Sequence, residues 1–189
     1  MAAAKAGDEG AFVELFRSIQ PALLRYLNTL GGGLAEDAAS ETWVNVVRSL
    51  HKFSGDERGF RSWVFTIAHS RLRDAQRSAV RMPVPVDTDD YLRSRPSAVD
   101  VLGEVEEMFS TESALALIGT LPPEQAEIVL LRHVAGLEVS HVAQIVGKKP
   151  GAVRVSAHRG LKRLADLLAG REAHSTPQGC NGIDARIGN

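Results

Sequence analysis

The sequence contains a single cysteine among its 189 residues, few aromatic residues and no long apolar run. One cysteine excludes an intramolecular disulfide, and no cysteine or histidine lies at zinc-ligand spacing from Cys180. No segment approaches the roughly 18 apolar residues that cross a bilayer, and the first residues lack the apolar core of a signal peptide. We therefore expect a soluble, cytoplasmic protein without a metal site or a cofactor.

Residue patterns of the common enzyme classes are also missing. There is no pair of carboxylates in a metal-binding pattern, no glycine-rich phosphate loop with a lysine, and no nucleophile beside a base. His69, His133 and His141 stand apart from one another, and each is expected to be a structural or surface residue rather than a catalyst. The sequence therefore predicts a protein that is not an enzyme.

Charge is distributed unevenly along the chain, although the net charge is only −1. Near neutrality excludes a uniformly basic surface, so positive patches must be balanced by acidic segments. Apolar residues recur mainly at helical spacing, which predicts an all-α protein with two small helical domains joined by an acidic flexible linker. We place the first domain at residues 1–81, the linker at 82–110, the second domain at 111–169 and a disordered tail at 170–189.

Two amphipathic helices are predicted to begin the first domain. Apolar residues between Phe12 and Leu30 repeat at steps of three and four, which indicates one helix, or two joined at Pro21, with Asp8 as the cap. A second helix runs from about Ala35 to Leu50. Its predicted buried residues are Ala39, Trp43, Val46, Val47 and Leu50. Its other side carries a polar stripe, either solvated or a docking surface, that consists of Asp37, Glu41, Asn45 and Arg48.

The stretch from Phe53 to Arg81 combines an apolar face with a cationic face. Between Arg58 and Arg81 it has six arginines and one acidic residue. Such a concentration of positive charge is typical of phosphate binding, although a solvated helix face would have the same composition. The apolar positions are Phe60, Trp63, Val64, Ile67 and Leu72. The polar stripe consists of Ser62, Thr66, His69, Ser70, Arg73 and Arg77.

An acidic, proline-containing segment follows. From Pro83 to Glu112 there are three prolines, eight acidic residues and two arginines. This composition indicates a linker, with room for a short helix around Val99 to Phe109. The linker is either a solubilising spacer or a mimic of nucleic acid in a basic channel of a partner.

The second domain has the layout of a helix-turn-helix. A short helix from Ser113 to Ile118 is followed by a helix that starts at the prolines after Leu121 and ends at Gly136. Ser140 is predicted to cap the next short helix, which Gly147 closes, and Pro150 opens a longer helix. Short helix, tight turn and longer helix are typical of this motif. The predicted packed face of the longer helix is Val153, Ala157, Leu161, Leu164 and Leu168.

The other face of the longer helix is cationic. From Ile145 to Ala165 there are six lysines and arginines and no acidic residue. In a major groove, residues near the start of such a helix reach base edges and flanking cations hold phosphates. The candidate base readers are Arg154, Ser156, His158 and Arg159. The candidate phosphate contacts are Lys148, Lys149, Lys162 and Arg163.

Five segments between Ala11 and Leu168 carry a family resemblance when they are taken in order. They are AFVELFRSIQPALLRYL, AEDAASETWVNVVRSLHKF, GFRSWVFTIAHSRLRDAQR, LPPEQAEIVLLRHVAGLEVSHVAQIVG and PGAVRVSAHRGLKRL. Together they resemble the bacterial sigma-70 family, and in size and layout its smallest branch, the extracytoplasmic-function (ECF, group 4) sigma factors. The forms PGAVRV and HRGLKRL are similar to those of actinobacterial members.

The resemblance implies a dissociable subunit that gives the RNA polymerase core promoter specificity, and a controlling anti-sigma factor as a further partner. It implies that the stripe of Asp37, Glu41, Asn45 and Arg48 docks on the clamp helices of the core. It implies that the longer helix reads the minus-thirty-five element and that the acidic linker threads toward the polymerase channels. The residues that it assigns to recognising and melting the minus-ten element are Phe53, Ser54, Gly55, Asp56, Arg58, Arg61, Trp63, His69, Arg73 and Arg77.

Two departures and one alternative bear on this interpretation. Ser40 stands where the family often has glutamine, and Ser156 stands where it commonly has a cation, so no promoter sequence can be transferred. The alternative is a stand-alone helix-turn-helix regulator. Such regulators usually dimerise on symmetric sites, and the sequence has no clear dimer helix or ligand pocket.

Overall fold

A computed structural model of the chain describes residues 1–81 and 105–175, with side chains for 1–81 and 111–169. Every regular element within these ranges is helical, which confirms the all-α prediction. Most of the predicted linker, the last part of the predicted tail and Cys180 lie outside the described residues. The helices are α1 (Ala2–Lys5), α2 (Glu9–Gly31), α3 (Ala35–Ser49), α4 (Glu57–Arg81), α5 (Val105–Gly119), α6 (Pro123–Val129), α7 (Val139–Ile145) and α8 (Pro150–Ser175).

The first unit is built from α2, α3 and α4, with α1 packed against α2. As predicted, Asp8 caps α2, because its carboxylate accepts a hydrogen bond from the Ala11 amide. Pro21 lies inside one continuous helix and does not divide it. The glycines that follow end α2, and a short 3₁₀ turn, Gly32–Leu34, leads directly into α3.

Two residues of the first unit lie on the opposite side from the one predicted. Val47 is 57% exposed, because Trp43 and Val46 already occupy the buried face of α3 and Val47 is one helical step further round. Ser62 is buried rather than part of an exposed polar stripe. Phe65 and Ala68, which the apolar pattern left out, are fully buried in α4 and extend its packed face.

The second unit contains α5 to α8, with a π-helical turn, Leu130–Val134, after α6. Its helices α5 and α8 are longer than predicted. The helix α5 begins at Val105, and α8 continues to Ser175, beyond the start of the predicted disordered tail. Ser140 lies within α7 and is not its cap; Glu138 holds the cap position without a side-chain cap hydrogen bond.

The packed face of α8 is shorter than the apolar pattern suggested. Val153 and Ala157 are buried, but Leu161 is 41% exposed and Leu168 is also exposed. The buried face passes instead through Gly160, where an added Cβ would lie 2.8 Å from Val129 Cγ2. Because glycine has no side chain, α8 approaches α6 closely there, and the larger residue at 161 is turned to the surface.

The two units pack against each other around α2. This helix contacts α3 and α4 on one side and α5, α6 and the π turn on the other. Buried apolar residues of both units belong to one continuous cluster, including Leu23 and Leu27 from α2 and Ile128 and Leu131 from the second unit. The cationic face of α4 therefore lies next to the second unit.

Candidate nucleic-acid and partner-binding surfaces

The turn between α7 and α8 presents a cationic surface. Gly147 has a φ of +66°, a left-handed conformation that suits glycine, and it lets the chain turn from α7 into α8 in a few residues. The first packed residue of α8, Val153, faces the core, which turns the opposite side of the helix outward. Six predicted DNA-contact residues on this side are exposed, and within the described residues none of their side chains forms a hydrogen bond or an ion pair: Lys149, Arg154, His158, Arg159, Lys162 and Arg163.

The other two predicted residues of this surface already have a partner. Glu124 Oε2 of α6 lies 2.9 Å from Lys148 Nζ, and Ser156 Oγ donates a hydrogen bond of 3.1 Å to Glu124 Oε1. The hydrogen bonds from Lys148 and Ser156 hold the pKa of Glu124 below its usual value. An acidic residue from a different helix thus borders the start of α8, which the charge count along α8 did not reveal.

The loop before α4 is held by an aromatic cluster. Phe53 is buried, and its ring centroid lies 5.5 Å from that of Phe60 and 5.1 Å from that of Trp63. An added Cβ at Gly55 would lie 2.9 Å from Phe53 Cζ, so the loop backbone passes directly over the ring. Asp56 accepts a hydrogen bond of 2.8 Å from the Gly59 amide at the start of α4. Phe53 and Asp56 therefore shape the loop, while Ser54 and Gly55 are exposed on it.

Arg58 and Arg61, near the start of α4, reach the second unit. Arg61 donates to the carbonyl oxygen of Ser18 at 2.7 Å and to that of Ala135 at 3.3 Å. Arg58 lies 3.7 Å from Glu138 in an exposed ion pair. A groove of about 710 Å³ runs between the two units here, lined by Asp56, Arg58, Arg61, Gly136, Glu138 and His141 among others.

A buried carboxylate from the second unit lies at the centre of the contact. Glu127 of α6 is 6% exposed, and it contacts one residue of α2 and two of α4. Its Oε1 accepts a hydrogen bond of 3.1 Å from the Tyr26 hydroxyl and lies 2.8 Å from His69 Nδ1. Its Oε2 accepts a hydrogen bond of 3.0 Å from Arg73 Nη2. Both predicted α4 residues that face the second unit at this point, His69 and Arg73, are thus bound to a carboxylate.

The charge state of this cluster follows from its partners. Burial alone would raise the pKa of Glu127, but the hydrogen bond and charge of His69, the charge of Arg73 and the Tyr26 hydroxyl together lower it. Burial, reinforced by the negative charge of Glu127, raises the pKa of Tyr26 well above its ordinary value. At neutral pH the cluster therefore holds an ionised Glu127 and a neutral Tyr26.

Sequence reasoning missed both Glu127 and Tyr26. The partners of Glu127 lie between 54 and 101 residues away in the chain, so no local spacing connects them. Tyr26 falls in the apolar repeat between Phe12 and Leu30, so the sequence predicted its burial but not its hydrogen bond to Glu127. Arg77, further along α4, remains on the surface, with Asp74 Oδ1 3.4 Å from its Nη1.

The polar stripe of α3 lies on the surface. Asp37, Glu41 and Arg48 are exposed, and Asn45 is half-buried and donates a hydrogen bond to the Glu41 carbonyl oxygen. Val44 and Val47 are exposed on the same helix, at 46% and 57%. The surface of α3 is therefore mixed, with apolar side chains among charged ones, which suits contact with a protein more than with water alone.

Neither a metal site nor a membrane span appears in the part of the chain that the structure describes. No group of three or more histidine, cysteine, aspartate or glutamate side chains could hold a metal ion there. None of the described helices is both long enough and apolar enough to cross a membrane.

Comparison with known protein families matches two parts of the chain. The model of sigma-70 region 2 matches residues 15–82, and the model of sigma-70 region 4 matches residues 111–164. The first range contains most of α2 together with α3 and α4, and the second contains α7 and the first part of α8, which form the helix-turn-helix.

Individual proteins extend the similarity over most of the chain. The ECF RNA polymerase sigma factor ShbA of Streptomyces griseus is 38% identical over 85% of this chain and 89% of its own length. The ECF RNA polymerase sigma factor SigD of Mycobacterium tuberculosis is 34% identical over 89% of this chain and 82% of its own. The solved structure of the sigma factor RpoE of Bartonella quintana, in complex with the anti-sigma factor NepR, covers 84% of this chain and 97% of its own with a TM-score of 0.59 and 20% identity. On the extent of these matches, the chain belongs to the ECF sigma factors of the sigma-70 family.

Proposed function

We propose that this chain directs the RNA polymerase core to promoters in the cytoplasm and helps to open them, without catalysing a reaction of its own. The observation that carries the proposal is the helix-turn-helix, whose longer helix α8 presents a cationic face that no described residue covers. A free basic helix of this kind fits the major groove. The chain that carries this helix belongs to the ECF sigma factors, which supports the same function.

In this proposal α8 reads the minus-thirty-five element. Arg154, His158 and Arg159 lie on the exposed face near the start of the helix and are placed to reach base edges. Lys149, Lys162 and Arg163 flank them and would hold phosphates. Lys148 and Ser156 join this surface only when they leave Glu124.

The loop before α4 and the cationic face of α4 are proposed to bind the minus-ten element. The buried ring cluster around Phe53 holds the loop in a fixed shape, and the exposed Ser54 and Gly55 on it would receive an unstacked base. The arginines at 58, 61, 73 and 77 would follow the phosphates of the separated strand. Trp63 belongs to the same cluster and supports the loop from α4.

The exposed surface of α3 is proposed to bind the polymerase core. Asp37, Glu41, Asn45 and Arg48 supply polar contacts, and the exposed Val44 and Val47 supply apolar contact area between them. The relative RpoE has been solved bound to an anti-sigma factor, and we propose that a protein inhibitor of the same kind controls this chain.

The test is transcription in vitro with purified RNA polymerase core on a promoter library, with and without the chain, followed by sequencing of the transcript starts. The proposal predicts starts that depend on the chain and share two upstream elements. These starts should be lost with Arg61→Ala, Arg73→Ala and kept with Arg17→Ala, Arg25→Ala, two exposed arginines of α2. No chain-dependent starts, together with tight binding to duplex DNA without the core, would contradict the proposal and favour a stand-alone regulator.

A further inference from the structure

One acidic residue borders the DNA-contact surface at the start of α8. Glu124 lies in the first turn of α6, and its Oε2 is 2.9 Å from Lys148 Nζ in the turn before α8. Its Oε1 accepts a hydrogen bond of 3.1 Å from Ser156 Oγ. Both oxygens of this carboxylate are therefore directed at candidate DNA-contact residues, from a helix that supplies none of those candidates.

Packing of α6 against α8 places the carboxylate there. The two helices approach closely where Gly160 meets Val129, and Ser156 stands one turn before Gly160 on the side of α8 that meets α6. Because Glu124 directly follows the prolines that start α6, it lies in the first turn, where a negative charge also suits the helix dipole. Its side chain is 49% exposed. The carboxylate is therefore held at the surface that DNA would approach.

Glu124 takes from its two partners what a phosphate would need. The hydrogen bonds from Lys148 and Ser156 hold the pKa of Glu124 below its usual value, so the carboxylate is ionised at neutral pH. A serine hydroxyl has one proton to donate, and Ser156 gives that proton to Glu124. The positive charge of Lys148 is balanced by the carboxylate beside it. The pair therefore presents no net charge to the DNA backbone.

We propose that Glu124 is a selectivity residue, which withdraws Lys148 and Ser156 from phosphate binding and so weakens the sequence-independent attachment of α8 to duplex DNA. Phosphate contacts carry no sequence information, whereas contacts to base edges do. The base-reading candidates Arg154 and His158 have no such acidic partner in the part of the chain that the structure describes. A larger share of binding then depends on base sequence. The inference rests on the part of the proposed function in which α8 contacts DNA, but it does not require the polymerase core.

Binding of the full chain to a labelled duplex of random sequence, without the core and from about 50 to about 200 mM salt, tests the proposal. Glu124→Gln releases Lys148, so the salt slope should steepen by about one unit and the affinity near 100 mM salt should rise about fivefold. Glu112→Gln makes the same change in net charge at an exposed position of α5 and should leave the slope unchanged. Since Glu124 is exposed, its substitution should leave the helical content measured by circular dichroism unchanged.

A neutral double variant separates the ion pair from a general effect of charge. Glu124→Gln, Lys148→Ala removes both members of the pair, and it should bind the duplex with the affinity and the salt slope of the wild type, because the wild-type pair is already neutral. The adjacent lysine gives the matched comparison. Lys149 has no side-chain partner within the described ranges, so Lys149→Ala should lower the slope by about one unit.

The outcomes for Glu124 and for the proposed function can be told apart. A steeper slope for Glu124→Gln, with a wild-type slope for the neutral double variant, would sustain the selectivity role even if the chain supports no transcription with the core, a result that would defeat the proposed function. An unchanged slope for Glu124→Gln, or an equal steepening by Glu112→Gln, would overturn the role even if transcription is normal. A double variant with a slope about one unit below that of the wild type would also overturn it, because Lys148 would then hold a phosphate despite Glu124.

Discussion

The helices α4 and α8 are both rich in arginine, yet their cationic faces differ in what surrounds them. The side chains of six candidate DNA-contact residues at and along α8 form no hydrogen bond or ion pair within the described residues. On α4, His69 and Arg73 are bound to Glu127, and Arg61 is bound to two backbone carbonyl oxygens. A run of cations along a helix therefore predicts the charge of its face but not whether those cations are free to bind DNA.

The difference has a physical cause in where each helix lies. The helix α8 packs only one narrow face, through Val153, Ala157 and Gly160, and its other sides meet solvent. The helix α4 lies between α3 and the second unit, so part of its polar face is covered as well. The buried carboxylate of Glu127 needs cationic or hydrogen-bonding partners, and α4 supplies them from a distant segment through His69 and Arg73.

Removing two free arginines from α8 should have the largest effect on promoter use. Arg154→Ala, Arg159→Ala is expected to lower transcription from a promoter found in the library about 100-fold, since each base contact contributes about 1–3 kcal/mol. The free energy of unfolding should change by less than about 0.5 kcal/mol, because both side chains are exposed.

The matched control for this pair is Arg17→Ala, Arg25→Ala, which removes the same charge from exposed positions of α2. Run-off transcription measures promoter use, and urea unfolding measures the free energy of unfolding. A large loss of stability in the α8 variant would show that these arginines are not free, and the contrast with α4 would fail.

Removing one arginine from α4 should instead lower stability. Arg73→Ala takes a charged partner from the buried Glu127, and we expect the free energy of unfolding to fall by about 1 kcal/mol, allowing for the half-exposed arginine side chain. Arg159→Ala is the matched control and should leave the free energy of unfolding nearly unchanged. Urea unfolding of both variants measures the difference, and equal stabilities would remove the distinction between the two faces.

A substitution at the start of α8 should separate stability from DNA binding. Lys149 stands immediately before the first residue of α8, where a serine would cap the helix and a positive charge opposes its dipole. Lys149→Ser should therefore raise the free energy of unfolding by about 1 kcal/mol. It should also weaken DNA binding and lower the salt slope by about one unit. An unchanged slope in a salt titration would mean that Lys149 contacts no phosphate.

Acid should weaken the contact on α4 more than the surface of α8. The pKa of Glu127 in the folded chain is lower than its usual value of about 4.5, so its ionised form stabilises the chain above that pH. This stabilisation, which depends on Tyr26, His69 and Arg73, is lost as pH falls below about 4.5. Wild type and Glu127→Gln should therefore differ in stability near neutrality and converge in acid. A difference that is constant with pH would show that the charge of Glu127 contributes nothing.

Much of the fold could be predicted from the sequence, because it depends on local signals. The cap at Asp8, the proline start of α6 and the glycine turn before α8 each act within a few residues. Errors arose where neighbouring apolar residues compete for one face. Val47 and Leu161 each stand four residues after a buried residue. Their neighbours Val46 and Gly160 occupy the packed face instead, so Val47 and Leu161 are exposed.

The candidate sites could be predicted only in part. The residue types on α8 were sufficient to identify an exposed cationic face, because exposure there follows from the period of one helix. The contact of Glu127 with α4 depends on how two units pack, and the residues that form it are separated by the linker. No pattern in either unit encodes that arrangement, so the sequence indicated which residues are charged but not which are already paired.

The two DNA faces should act together only with the polymerase core, and a footprint of the complex tests this most directly. On a promoter from the library, core plus chain should protect two upstream elements and make thymines near the minus-ten element reactive to permanganate. Arg154→Ala, Arg159→Ala should remove protection of the upstream element first. Equal protection by the chain without the core, with no reactive thymines, would show that the two faces do not depend on the core.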